Sequence, residues 1–365
     1  MHDTLVFQIA LTLIPGVGPI TAKNLVAYCG SAEAVFREKE QALMKIPDIG
    51  KMIAHTIRHS NVMERAEKEI AFIEANSIVT HFFTDSNYPD RLKQCEDGPA
   101  LIYTKGTMNL SEKRVISVIG TRNSTSYGKR FCKELLEGIT HLKPLVVSGL
   151  AYGIDICGHR NAVMLNLQTV ACVAHGLDKV YPAMHIPVAN DMMRNGGLVS
   201  EFPSDTKMTP DMFPMRNRII AGLSDCTIVV ETDLKGGSII TAHLANSYAR
   251  EVFALPGRYH DRYSAGCNAL IRKNLAAIIN SPQDLIDYMN WDDTFKPKSK
   301  QLPLFQELNP DETLIVDLLT QEGKISIDLL SHTTGIGFSK LSNVLLDLEF
   351  RGIIKSLPGK RFELI

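Results

Sequence analysis

The sequence predicts an α/β protein with an extended Rossmann-like, doubly wound, mostly parallel sheet. A helix-hairpin-helix (SAM-like) domain precedes the sheet and a winged helix follows it. Three observations predict this: a Pro/Gly-containing unit occurs twice near the N-terminus, six short apolar runs lie between residues 115 and 257, and the tail has a winged-helix order of elements. The expected parts are the hairpin domain (1–65), a connecting helix with the Rossmann-like domain (66–290), a linker (291–306) and the winged helix (307–365).

The amino-acid composition limits which classes of function are possible. The chain has 365 residues, 45% of them apolar, and a net charge of −1, so two or three cores are expected and any nucleic-acid site must be a local concentration of charge. The seven cysteines are scattered without a C-x-x-C pair, which argues against zinc or disulfide frameworks. We expect no metal. No signal peptide or membrane-spanning run is evident, which predicts a cytoplasmic protein.

The first region is small and helical. Residues 14–30 and 46–60 are similar to each other: each has an apolar residue, a Pro/Gly turn and a helix-period run. The turn amides and the next helix N-terminus of such a hairpin can hold a phosphate, but a hairpin can also serve only as scaffold. Six Lys/Arg against five Asp/Glu up to residue 60 favour the scaffold. Residues 62–75 read as a connecting helix.

The second region should form the sheet. Its runs are apolar and β-branched, and helix-like stretches separate several of them, as expected of parallel strands covered on both faces. The runs are VISVIG (115–120), PLVVSG (144–149), TVACVA (169–174), GLVSE (197–201), CTIVVE (226–231) and EVFALPG (251–257). Two upstream runs, 77–83 and 100–106, are expected to add strands at one edge.

The tail reads as helix, short strand, helix, helix and two strands around Pro358-Gly359. Its third helix would present polar side chains, namely Ser339, Lys340, Ser342 and Asn343. Six Lys/Arg against nine Asp/Glu over 307–365 are few for a groove-reading helix, which favours protein contact or packing over DNA reading.

Ligands of doubly wound sheets bind where strand ends lead into helix N-termini. The loop 120–128 supplies Gly120 and Arg122 there, and it matches neither the dinucleotide fingerprint nor a Walker A loop; no nucleotide cofactor is expected. In the loop 148–160, Asp155 and His159 fall on one side of a helix. They form a metal or acid–base pair or, as the sequence favours, a satisfied structural hydrogen bond.

The stretch 213–231 raises an electrostatic question. Pro214 suits the first position of a helix, which puts Arg216 and Arg218 in or near the first turn, where cations are disfavoured. An anion should offset these positive charges, and it is either the carboxylate of Glu201 or Asp155 or a ligand. The sequence leaves open which arginine pairs with which anion. A fourth loop, 231–244, offers an anion cradle made of Lys235, Gly236, Gly237, Ser238 and Thr241.

Several unusual strings occur in a fixed order: VIGTRNSTSYG, VSGLAYGID, FPMRNRIIAGLSD, GGSIITA, FALPG and GCNALI. Together they resemble the DNA-processing protein A family, DprA, also called Smf. The resemblance covers most of 115–272, and the flanking domains resemble accessory domains of many members. It implies a cytosolic, usually dimeric, ATP-independent protein without enzymatic activity. It further implies that the protein binds single-stranded DNA in its Rossmann region and loads the RecA recombinase onto it, chiefly in natural transformation.

The resemblance carries over by position. The family's G-[ST]-R loop corresponds to residues 120–122, its S-G-x-A-x-G-I-D loop to 148–155, and its R-N-R string to 216–218; many members have Arg where Tyr152 stands, and Lys207 is only loosely placed. The DNA-binding residues that the resemblance implies are Gly120, Thr121, Arg122, Ser148, Gly149, Tyr152, Gly153, Lys207, Arg216, Asn217 and Arg218. From the anion cradle we add Lys235, Gly237 and Ser238 to the expected DNA-binding residues. Asp155, His159 and Glu201 are expected to orient them.

Two other functions compete. Cytokinin-activating phosphoribohydrolases use a similar sheet and a P-G-G-x-G-T-x-x-E loop, but Ile239, Ile240 and His243 stand here where Gly, Thr and Glu are needed. Without the carboxylate, acid–base chemistry on a ribosyl bond has no obvious agent. The third reading is an adaptor that binds protein only.

Overall fold

The computed structural model describes residues 2–292, 308–357 and 360–364. Contacts group the chain into two compact units, Met1–Asp292 and Asp293–Ile365. The expected linker, apart from its first two residues, lies outside the described residues, and so does the Pro358-Gly359 turn. The finer division of the chain into four parts stays a prediction.

The first unit begins with six helices. They are α1 (His2–Leu13), α2 (Pro19–Cys29), α3 (Ala32–Arg37), α4 (Glu40–Leu43), α5 (Lys51–His59) and α6 (Met63–Ala75). The two similar sequence units form α2 and α5, each of which starts directly after a glycine, Gly18 or Gly50, in extended conformation. Gly30 ends α2 with a φ of 92°, a conformation that glycine adopts without steric cost. The predicted connecting helix is α6.

A nine-stranded sheet forms the centre of the unit. Its strands are β1 (Val79–Phe82), β2 (Leu101–Thr107), β3 (Val115–Ile119), β4 (Leu145–Ser148), β5 (Thr169–Cys172), β6 (Gly196–Ser200), β7 (Cys226–Val229), β8 (Glu251–Ala254) and β9 (Ala277–Ile278). The order is β1-β2-β6-β5-β4-β3-β7-β8-β9. In this spatial order, the seven strands that begin with β6 and end with β9 are parallel to one another. At the opposite edge, β1 pairs antiparallel with β2, and β2 pairs antiparallel with β6. All eight predicted strands are present; β9 was not predicted.

Helices cover both faces of the sheet. They are α7 (Asp90–Lys93), α8 (Ser126–Ile139), α9 (Ile154–Met164), α10 (Ile186–Met192), α11 (Met212–Leu223), α12 (Gly237–Ser247), α13 (Arg262–Arg272) and α14 (Pro282–Tyr288). Alternate residues of β3 enter different cores: Ile116 and Val118 pack with α8 and α9, while Val115 and Ile119 pack with α11 and α12.

Helix α11 begins earlier than the sequence indicated. Its first residue is Met212, so Pro214 is the third helical residue and Arg216 and Arg218 lie in the second turn rather than the first. The prediction was wrong because the first four N–H groups of any helix lack an intrahelical partner, and proline is therefore tolerated beyond the first position.

The second unit has the predicted winged-helix order. It consists of α15 (Pro310–Glu322), β10 (Lys324–Ser326), α16 (Ile327–Thr334), α17 (Phe338–Phe350), β11 (Ile354–Leu357) and β12 (Arg361–Leu364), with strand order β10-β12-β11. Asn309 and Glu312 form a reciprocal cap at the start of α15. Across the residues that the structure describes, every helix is too short or too polar to cross a membrane.

Candidate functional site

A cleft of about 350 Å³ opens at the carboxyl ends of β3 and β7. From β3 the chain proceeds to β4 on one side, and it later returns to place β7 on the other side, so the cleft lies at the topological switch point where such sheets bind ligands. Eight predicted site residues line it, namely Gly120, Thr121, Arg122, Asp155, Arg216, Asn217, Gly237 and Ser238. The other predicted residues lie outside the lining.

The buried Glu231 holds the loop after β3, residues 120–125, at both of its ends. The backbone oxygen of Glu231 accepts a hydrogen bond from Thr121 N at 2.6 Å, and its carboxylate accepts bonds from the backbone N–H of Thr125 at 2.9 Å and from the Thr125 hydroxyl. Thr125 also caps α8. Arg122 is therefore exposed on a loop that is fixed at both ends.

The loop before α9 packs directly on the first loop. Ile154 N donates to Thr121 O at 3.2 Å. Gly153 has a φ of +79°, and a Cβ at this position would lie 2.1 Å from Thr121 O. Only glycine permits so close an approach in this conformation, which explains its place in the S-G-x-A-x-G string.

Arg216 lies buried beneath these loops. Its guanidinium donates to Gly149 O at 2.5 Å and to Cys172 O, and the Asp155 carboxylate accepts from Gly149 N at 3.1 Å. Burial lowers the pKa of Arg216; Asp155 raises it and Arg122 lowers it further. Burial raises the pKa of Asp155 against the attraction of Arg216. Two guanidinium groups thus influence each other electrostatically in one cleft, an arrangement that favours a bound anion.

Arg218 has a different environment. It forms a buried ion pair with Glu201 and also donates to Asp97 O. Burial raises the pKa of Glu201 to about 7, with Arg218 opposing and Asp97 adding to the rise. Arg218 and Glu201 lie outside the cleft lining, so the structure pairs Arg218, and not Arg216, with Glu201.

His159 and Asp155 have separate partners. His159 Nδ1 is 2.8 Å from the Thr169 hydroxyl, which itself donates to Val146 O at 2.9 Å. The ring nitrogen is therefore the donor. Burial, together with repulsion from Arg216 and His185, lowers the pKa of His159 to about 3, so the ring is neutral.

The start of α12 forms the far wall of the cleft. Gly236 precedes the helix without any side-chain cap, and the Ser238 hydroxyl donates to Thr232 Oγ1 at 2.7 Å. An uncapped helix N-terminus of this kind favours anions. Lys235 is exposed beside it, outside the lining. On α12, Ile240 lines the cleft while His243 is exposed, so the cleft lacks a carboxylate at the position where the hydrolase loop needs one.

Three of the predicted residues have other environments. Ser148 is buried, with its hydroxyl donating to Val118 O at 2.6 Å, so it is structural. Tyr152 is 43% exposed and packs edge-to-face on His185, with ring centroids 5.1 Å apart. Lys207 is exposed in the segment before α11.

Several lining residues were not among the predicted site residues, including Phe213, Arg262 and Tyr263. Phe213 lies in the first turn of α11 under Arg122, and Tyr263 and Arg262 begin α13, where Arg262 pairs with Asp233 at 2.6 Å. An aromatic residue next to the R-N-R string was the available signal for Phe213. The sequence offers no such signal for Arg262, because only the tertiary fold brings α13 to the cleft.

Known proteins resemble this chain over all its parts. The sequence model described as DNA recombination-mediator protein A matches residues 79–290, a helix-hairpin-helix motif matches 7–63, and a DprA winged helix domain matches 299–360. A DNA processing protein DprA from Bacillus subtilis is 40% identical over 210 residues, which are 57% of this chain and 71% of that protein.

Two solved structures are also similar. DNA processing protein A from Streptococcus pneumoniae has a TM-score of 0.64 and 27% identity, covering 77% of this chain and 97% of that chain. The protein of the same name from Helicobacter pylori has a TM-score of 0.54 and 30% identity, covering 59% and 96%. The latter structure is described as giving insight into a unique single-stranded DNA binding mode.

Proposed function

This chain belongs to the DNA recombination-mediator protein A family, and from that premise we propose that its cleft binds single-stranded DNA and that the protein delivers the strand to RecA. The observation that carries the proposal is the position of Arg122 and Arg216 in one cleft at the switch point. Arg262 has a carboxylate partner in Asp233, whereas the neighbour that the structure gives Arg122 is the Phe213 ring. Arg122 is accordingly the cation we assign to a phosphate.

The proposed binding mode does not depend on base sequence. Phosphates contact the loop 120–125 and the start of α12, and such contacts carry no base information. The aromatic surfaces of Phe213 and Tyr152 supply stacking platforms, which accept any base. A duplex keeps its bases stacked inside, so the same cleft should prefer single strands.

The wider setting follows from the family resemblance. We infer a cytoplasmic homodimer that protects incoming single strands and loads RecA onto them, in natural transformation or in related recombination. Binding should need no nucleotide, because the loop 120–128 is neither a Walker A loop nor a dinucleotide fingerprint. Addition of ATP with magnesium should therefore leave the affinity for oligo-dT unchanged, and an ATP-dependent gain would contradict this.

One set of titrations tests the proposal. Fluorescent oligo-dT and a duplex of equal length are titrated with this protein at two salt concentrations. In a second assay, ATP hydrolysis by RecA is followed, with and without this protein, on single strands that are already covered by a separate single-strand-binding protein. We expect tighter binding to oligo-dT, weakened by salt, and faster RecA assembly. No retention of oligo-dT would favour the protein-only adaptor, and release of adenine from AMP would favour the hydrolase. Binding without RecA stimulation would reject only the loading step.

A further inference from the structure

Three side chains capable of binding metal meet on the second helical hairpin, far in sequence from the cleft loops. Glu40 begins α4, and His55 and His59 lie on α5. Each offers one ligand atom, and these atoms all lie within 4.8 Å of one another. His55 Nδ1 lies 3.7 Å from Glu40 Oε2.

The fold brings the two histidines together on one side of a helix. They are four residues apart on α5 and therefore lie on one face; their rings are stacked, with centroids 4.0 Å apart. His59 Nδ1 is 2.9 Å from the His55 backbone oxygen. A carbonyl only accepts, so Nδ1 is the donor and the lone pair of Nε2 is left for a cation, as is common for metal-binding histidines.

The surroundings suit a cation. His59 is the last residue of α5, where the helix dipole favours positive charge. Nearby Arg58 is turned to the Phe36 backbone oxygen. Two imidazoles and one carboxylate are ligands that Zn²⁺ takes, whereas Mg²⁺ and Ca²⁺ prefer sets made of oxygen. Three protein ligands leave the fourth tetrahedral position for water.

We propose that Glu40, His55 and His59 form a binding site for a divalent transition metal ion of the zinc class. Metal–ligand distances of about 2.0–2.2 Å require the ligand atoms to move closer together. The side chains have room to do so, since those of His55 and Glu40 are 61% and 30% exposed. The bound ion would link α4 to α5 across the turn of the second hairpin. Our expectation of no metal rested on cysteine spacing, which this site does not use.

The test is a zinc titration of the full chain, read by a competing chromophoric chelator and by thermal melting. We expect one equivalent of zinc, a raised melting temperature, and no competition from excess magnesium. His55→Ala and His59→Ala should each weaken binding by about tenfold or more and abolish the melting shift, while melting without zinc stays unchanged because the side chains are exposed. Glu40→Gln should weaken binding too.

His141→Ala, at an exposed histidine in a different part of the unit, serves as the matched control and should bind zinc like the parent. Absence of saturable zinc binding would overturn the proposal. So would zinc binding that both α5 histidine variants retain in full. Neither readout uses DNA, so the result is independent of the function proposed for the cleft.

Discussion

The guanidinium carbon of Arg122 lies 5.6 Å from the ring centroid of Phe213. The contact joins the loop after β3 to the first turn of α11. A cation over an aromatic ring is attracted to the ring without using a hydrogen-bond acceptor, so the N–H groups of Arg122 can still donate to a phosphate. The pair therefore combines a phosphate ligand with an adjacent surface for a base.

Arg122→Ala should weaken binding to dT, dC and mixed strands alike, because a phosphate contact is independent of base. The log–log salt slope should become shallower by about 0.7 for one lost contact. Fluorescence titrations over a range of salt concentrations measure both. Arg272→Ala is the matched control: Arg272 ends α13, about 15 Å along the axis from Arg262, and it should behave like the parent. Unchanged affinity and slope in Arg122→Ala would reject this phosphate site.

Two glycines of the cleft loops should respond differently to alanine. Gly153→Ala forces a Cβ against Thr121 O at a φ of +79° and should lower the free energy of unfolding by about 1–3 kcal/mol, together with affinity for oligo-dT. Gly237 has open space around it, so Gly237→Ala should melt like the parent. A loss of oligo-dT affinity in Gly237→Ala at unchanged melting temperature is expected if a phosphate approaches the backbone there; equal destabilisation in both variants would contradict the loop geometry.

Arg218→Ala should destabilise the fold by roughly 3–5 kcal/mol, because it leaves the buried Glu201 without its partner. The loss should grow as pH rises. With Arg218 gone, the pKa of Glu201 in the folded state rises further above that in the unfolded chain, so the native state binds more protons and stability falls with increasing pH. Denaturant melts at pH 6 and pH 8 measure this. Glu201→Gln removes the titrating carboxyl instead; it should also lose stability, because buried Arg218 then lacks its partner, but the stability of this variant should depend less on pH. A loss independent of pH in Arg218→Ala would be inconsistent with the pair.

Cys157 should be the most reactive of the cysteines near neutral pH. A hydrogen bond from Cys132 lowers its pKa to about 7, and Lys129, Asn161 and Arg160 act in the same direction against burial. Since the thiolate is the nucleophile, alkylation by iodoacetamide should increase with pH around a midpoint near 7. Cys132→Ala removes the hydrogen bond and should shift that midpoint upward. Mass spectrometry of the labelled protein identifies the alkylated cysteine. An unchanged midpoint in Cys132→Ala would show that the hydrogen bond from Cys132 does not lower the pKa of Cys157.

Truncation after Trp291 should leave affinity for oligo-dT within about tenfold of the full chain, or 1.4 kcal/mol. Three lysines of the second unit are paired with carboxylates of the same unit: Lys340 with Asp311, and both Lys324 and Lys355 with Glu363. They are therefore poorly placed to attract phosphates. The two proteins are compared at the same salt concentration, and a larger loss would make the winged helix a DNA-binding module.

Much of the fold could be predicted because its strands are unusually clear in sequence. A strand such as β3, buried on both faces, is expected to be almost continuously apolar, and it appears in the chain as VISVI, whose one polar side chain, Ser117, donates a hydrogen bond to Thr227 Oγ1 at 2.8 Å. Strand β9 could not be found, since the two residues Ala277 and Ile278 carry no periodicity. Its place depends on pairing with β8, which is a tertiary contact.

The position of the site was predictable, but the partners of its side chains were not. Strand ends identify the loops 120–125 and 149–153 by topology alone. Whether Arg216 or Arg218 takes Glu201 depends on which side of α11 faces β6, and the sequence places both arginines on one helix without fixing that rotation. The misplaced start of α11 also concealed Phe213, whose role depends on its position under Arg122.

Glu231 fastens the loop 120–125 at both ends, through its backbone oxygen and its carboxylate. The free loop is thus already preorganised for a ligand. Binding of a strand then costs little conformational entropy of the loop, because the loop is already held in one conformation before the strand arrives. Association should be correspondingly fast, limited by encounter of the strand with the cleft rather than by rearrangement of the protein.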